Sequence, residues 1–113
     1  MEKFEDIIAW QKARQLTIFV YKIFSDSRDF GFRDQIQRAS VSIMNNIAEG
    51  FERKGDKEFS HFLYIAKGSC GEVRSMIYLA QDLRYITNKE SGELLEISAE
   101  ISRILSGFIK KLK

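Results

Sequence analysis

None of the 113 residues is proline. Proline breaks helix interiors but is at home in turns and edge strands. A strand-and-turn fold of this length would use several prolines, whereas long helices joined by short polar turns can use none. The apolar residues agree, because they recur at steps of three and four, the helical period. Ile7, Trp10, Ala13, Leu16, Val20 and Ile23 form one such stripe in a first helix over about residues 4–24. The run Ser25-Asp26-Ser27-Arg28-Asp29 then reads as a turn.

A second helix is predicted over about residues 32–54. Ile36, Ser40, Ile43, Ile47 and Gly50 share a stripe, with small Ala39, Ser42 and Ala48 beside it. Gly55 reads as its C-terminal stop and Asp56 as the next N-cap. The third helix, about 57–86, carries Phe59, Phe62, Leu63, Ala66, Cys70, Val73, Ile77, Ala80 and Leu83. At 1.5 Å per residue it would be a rod of about 45 Å. Asn88 is placed to close it, and Thr87 with Glu90 has capping-box spacing. The fourth helix, about 89–112, carries Leu94, Ile97, Ile101, Ile104, Leu105, Phe108 and Leu112. Its glutamates come early and Arg103, Lys110 and Lys111 late, which suits the helix dipole. Short connections between long amphipathic helices force antiparallel neighbours. The predicted fold is all-α: one elongated, up-down-up-down four-helix-bundle domain over residues 1–113.

Composition narrows the function. The chain is 44% hydrophobic and 30% charged, the balance of a folded globule. Its formal net charge of +2 is a weak bias, so any nucleic-acid binding must come from patches rather than bulk charge. A single cysteine excludes an internal disulfide and a multi-cysteine zinc site. Residues 1–6 are charged with no secretory apolar segment behind them, and no apolar run approaches the ~20 residues that cross a bilayer. The cytoplasm is the expected compartment, and no membrane partner is expected.

Phe19, Phe24, Phe30, Phe51, Tyr64, Ile65, Tyr78 and Tyr85 fall at or beyond the stripe edges. A monomeric bundle needs one apolar face per helix. The surplus predicts a second buried surface, hence self-association, although scattered exposed aromatics are also ordinary.

Catalysis is not expected. His61 and Cys70, the one candidate base and nucleophile pair, are nine residues apart on one helix, about 900° of rotation, and point to opposite sides. Cys70 lies on the core stripe. Glu58 and His61 are spaced like half of a bundle di-metal site, but no second histidine exists to complete it. Gly68-Ser69-Cys70-Gly71 lacks the lysine and preceding strand of a phosphate loop. No cofactor and no metal is expected. Asn45, Asn46 and Glu49, beside the second stripe, read as setting register rather than holding a ligand.

One run is more specific. Gln35-Ile36-Gln37-Arg38-Ala39-Ser40-Val41-Ser42-Ile43, continuing in Asn46-Ile47-Ala48-Glu49-Gly50-Phe51, resembles the signature of the bacterial four helix bundle protein family. Its members were first noticed in intervening sequences of 23S ribosomal RNA genes and are sometimes labelled ribosomal proteins. Trp10-Gln11, Ala13, Glu58-Phe59, Phe62-Leu63, Ile65-Ala66, Gly68-Ser69 and Glu72 also match. Met44-Asn45 departs from the family's usual Pro-Ala, which predicts a straighter second helix. The resemblance implies a cytoplasmic homo-oligomer, a pentameric ring or barrel. It also implies kinship with the accessory variability determinant of diversity-generating retroelements, which binds nucleic acid and a reverse transcriptase without catalysing a reaction.

Two functional expectations follow. The first is a non-catalytic accessory protein that contacts structured RNA or an RNA–DNA intermediate. Its candidate residues are Arg53, Lys54 and Lys57 at the second-to-third helix turn, and Lys110, Lys111 and Lys113 at the tail. Against this, Glu49, Glu52, Asp56 and Glu58 could neutralise the first cluster, and the tail lysines could simply complement a helix end. The second expectation is a scaffold that recruits a partner enzyme through surface aromatics such as Phe51 and Tyr64, without direct nucleic-acid contact.

Overall fold

The computed structural model describes residues 2–112. A 3-10 turn, Phe4–Asp6, leads into four helices: α1 (Ile8–Ile23), α2 (Phe30–Glu52), α3 (Asp56–Asp82) and α4 (Asn88–Lys111). Among the described residues there is no strand. Each helix packs on its sequence neighbours and α4 closes on α1, whereas the diagonal pairs α1/α3 and α2/α4 do not approach. The result is a square antiparallel bundle with extents of 43 × 21 × 19 Å.

The stripes supply the core. Ile36, Ile43, Ile47, Leu63, Ala66, Val73, Ile77, Leu94, Ile101 and Leu105 are fully buried on three helices, facing Ala13, Leu16 and Val20 of α1. Two stripe assignments change. Phe24, read as surplus, is buried at the end of α1 and packs against Phe32 at 5.5 Å. Leu83, read as core, is exposed. Phe51, also read as surplus, lies half-buried against Phe59 at 5.9 Å.

The helix ends follow local chemistry. The Asp29 carboxylate accepts from the Phe32 N–H, so α2 begins at Phe30, two residues before the predicted start. Thr87 and Glu90 form the full capping box at the start of α4. Asn88 therefore opens α4 and does not close α3. The third helix ends four residues before the predicted Ile86, in a Schellman motif. There the Tyr85 N–H donates to the Ala80 carbonyl and the Arg84 N–H to that of Gln81, with Arg84 left-handed at φ 62°. Gly55, with φ 98° and ψ 145°, holds the α2–α3 turn in a conformation open essentially to glycine alone. Through Met44-Asn45, where the family's proline is missing, α2 runs unbroken.

Close approach of α2 and α3 rests on Gly50. A Cβ there would lie 2.6 Å from the Phe62 Cβ and 3.0 Å from Phe59 Cδ1. Nearby, the Ser42 and Ser69 hydroxyls share a 2.9 Å hydrogen bond between the two helices. Asn46 Nδ2 donates to the Ser42 carbonyl (2.8 Å) and hydroxyl (3.0 Å), both within α2, so the bond across to α3 is made by Ser42 and not by Asn46.

Candidate nucleic-acid interface

The described residues of the two basic clusters, more than fifty residues apart in sequence, lie at the same end of the bundle. In an antiparallel four-helix bundle the α2–α3 turn and the C-terminus of α4 share one end. Aromatic contacts tie them there: Phe51 of α2 meets Phe59 of α3 at 5.9 Å, and Phe59 meets Phe108 of α4 at 5.1 Å. Lys54 and Lys57 are exposed on the turn, and Lys110 and Lys111 on the last turn of α4. Lys113 lies outside the described residues.

Arg53 differs from its neighbours. Its guanidinium lies 3.0 Å from the Glu49 carboxylate and 3.5 Å from that of Glu58, and it stacks over the Phe62 ring at 5.2 Å. The predicted neutralisation is therefore real for Arg53. Lys54, Lys57, Lys110 and Lys111 have no carboxylate within 4 Å among the described residues. Glu52 and Asp56 remain exposed beside them.

Sequence reading passed over a cleft of about 580 Å³ between α2 and α3, lined by Asp34, Gln35, Arg38, Ser42, Ser69 and Glu72 among others. Gln35 Nε2 donates to Glu72 across it at 3.2 Å. Gln35, Arg38 and Ser42 belong to the family-like run, and Ser69 and Glu72 are among its further matches, which was the available signal. The Gln35–Glu72 and Ser42–Ser69 bonds cross the cleft and tie α2 to α3, whereas Asp34 bonds Arg33.

His61 is exposed beside the Phe62 ring, whereas Cys70 is buried and its thiol donates to the Ser98 carbonyl at 3.0 Å. Burial pushes the Cys70 thiol up to about 11, against the opposing pull of Arg74 and Lys67. Glu58 of the half-motif Glu58/His61 is committed to Arg53.

The 23S rRNA-intervening sequence protein family model matches residues 5–107. The chain belongs to that family. A crystal structure of a protein of unknown function from the S23 ribosomal protein family of Bacteroides thetaiotaomicron VPI-5482 is similar throughout. It has a TM-score of 0.86 and 25% sequence identity, over 91% of this chain and 99% of that one. No functionally curated protein matches the sequence. As a member of the 23S rRNA-intervening sequence protein family, the chain places the run Gln35 to Phe51 along α2, with Gln35, Ser42 and Gly50 all turned toward α3.

Proposed function

We propose that this family member is a non-catalytic, oligomeric accessory protein of the cytoplasm that holds structured RNA or DNA against the basic end of its bundle. The observation carrying this reading is the convergence of Lys54 and Lys57 with Lys110 and Lys111 at one end, none of them in an ion pair with the described carboxylates. Lysine contacts to phosphate are independent of sequence and release counterions, so affinity falls steeply with salt. Four lysines per protomer correspond to a log–log salt slope of about −3 to −4 for duplex DNA. A symmetric assembly would repeat the cluster and raise affinity through multivalency.

The test is a titration of purified protein against an RNA hairpin and a DNA duplex at low and high salt, repeated with all four lysines changed to Glu. Salt-sensitive binding that the quadruple variant loses supports the reading. An absence of binding at low salt overturns it and favours a protein-interaction scaffold.

A further inference from the structure

A second groove opens at the same end of the bundle as the exposed lysines. It runs between the start of α1 and the last turns of α4, which share that end because the helices alternate in direction. Its volume is about 470 Å³, within the range of small-ligand sites. Ile7 and Ile8 line one side, and Ile104, Gly107, Phe108 and Lys111 the other. The cleft between α2 and α3 is bordered mostly by polar side chains that bond across it, whereas this groove is bordered mostly by apolar ones. The fold leaves it uncovered, for Ile8 is still 52% exposed. The Phe108 ring is fixed edge-to-face against Phe59 at 5.1 Å. Gly107 puts no side chain into the groove, and a Cβ there would meet nothing within 4 Å.

Charge indicates what the groove takes. Asp6 and Lys111 both border it, yet neither lies within 4 Å of an opposite charge among the described residues. Lys110 is exposed beside Lys111. An occupant that satisfies all of these groups offers an apolar face to the groove, an anion to the lysines and N–H donors to Asp6. A fatty acid meets the first two requirements but sets hydrocarbon against the Asp6 carboxylate, which is costly. An unpaired nucleotide meets all three. The faces of its base are flat and apolar, the edges of adenine, cytosine and guanine carry N–H groups, and its phosphates are anions. Proteins that bind single strands combine a basic track with an aromatic platform in this way.

We propose that the groove between α1 and α4 receives one unpaired base of a nucleic acid whose phosphates lie on Lys110 and Lys111. The inference rests on the proposed function and narrows its ligand. The strand must present a base outside the stack, as a hairpin loop or a strand end does and an uninterrupted duplex does not.

Single-stranded probes separate a base contact from a phosphate contact. A hexamer of deoxyadenosine and the same strand with every base removed carry equal numbers of phosphates. At low salt the base-bearing strand should bind about five- to a hundred-fold more tightly, the gain from one stacked base. Gly107→Leu fills the groove from a position where the fold leaves room, and Ile8→Ser strips the facing side at an exposed site. Each should cut that preference at unchanged helix content by circular dichroism, with the affinity for the abasic strand as in the wild type. Equal affinity for the two strands, or a preference that survives either variant, would overturn the groove assignment and leave the salt-sensitive lysine contacts standing. Binding of the apolar dye anilinonaphthalene sulfonate that Gly107→Leu abolishes but the hexamer does not displace would also overturn it, giving the groove to an apolar ligand. If neither strand binds while the hairpin and duplex do, the groove assignment falls alone. If none of the four binds at low salt, the proposed function falls with it.

Discussion

Gly50 and Phe62 touch so closely that no other residue fits at position 50: a Cβ there would stand 2.6 Å from the Phe62 Cβ. That atom is the base of its side chain and cannot swing away, and Phe59 closes the other side at 3.0 Å. Gly50→Ala gains helix propensity but must push α2 and α3 apart, an overpacking cost of about 1–3 kcal/mol. Thermal unfolding should show a clear drop in Tm. Gly107→Ala, on an exposed part of α4 with nothing within 4 Å of its Cβ, should raise stability by about 0.5–1 kcal/mol. Equal effects at the two positions would refute the close-approach account.

Arg84 occupies the left-handed position that ends α3, where glycine is favoured. Arg84→Gly should therefore stabilise the fold by roughly 1 kcal/mol, the relief of a left-handed L-residue. Chemical denaturation would read this as a higher midpoint at unchanged slope.

At the end opposite the lysines, the Tyr85 phenol donates a 2.7 Å hydrogen bond to the Asp29 carboxylate, 56 residues away. That bond, then the one from the Phe32 N–H, lowers the Asp29 pKa, and the same bond raises that of Tyr85. A carboxylate with a depressed folded pKa contributes stability above its unfolded value of 3.8 and loses it as pH falls through the folded one. Tyr85→Phe should thus flatten the acid limb of a Tm-against-pH curve below about pH 4. An unchanged limb would show that Asp29 gains nothing from Tyr85.

Cys70 should be inert. With its thiol pushed up to about 11, only about one in a thousand molecules is thiolate at pH 8. A disulfide reagent should label native protein orders of magnitude more slowly than unfolded protein. A thiol with a raised folded pKa contributes fully below its unfolded value, near 9, and loses that contribution as pH rises through the folded one. Wild type should lose up to roughly 2 kcal/mol more than Cys70→Ala between pH 9 and 11. Parallel stability curves for the two proteins would contradict this.

Arg53 is held by Glu49 and Glu58, so those carboxylates damp the basic end. Replacing both with Gln should tighten RNA and duplex binding and steepen the salt slope by about one unit as Arg53 becomes available to phosphate. An unchanged titration would place the contact surface elsewhere.

Helical periodicity is a local property, and it determined much of this protein from sequence alone. The residues at steps of four and seven, Ile36, Ile43 and Ile47 or Leu94, Ile101 and Leu105, meet in the core as one- and two-turn spacings require. The Thr87–Glu90 box was equally legible, because its two hydrogen bonds join residues only three apart in sequence. The tertiary structure decided what depends on which ends and faces meet. Phe24 is in step with Val20, four residues before it, but stands past the last residue of α1, and it is buried where it packs against Phe32 of α2. The end of α3 was hidden because Arg84 takes a conformation its side chain does not announce. The placement of Lys54 and Lys57 at the same end as Lys110 and Lys111, and the capture of Arg53 by Glu49 and Glu58, follow from the antiparallel return of the chain and from side-chain reach at one corner. A list of charges contains neither, because electrostatic partnership is set by distance in space and not by distance along the chain.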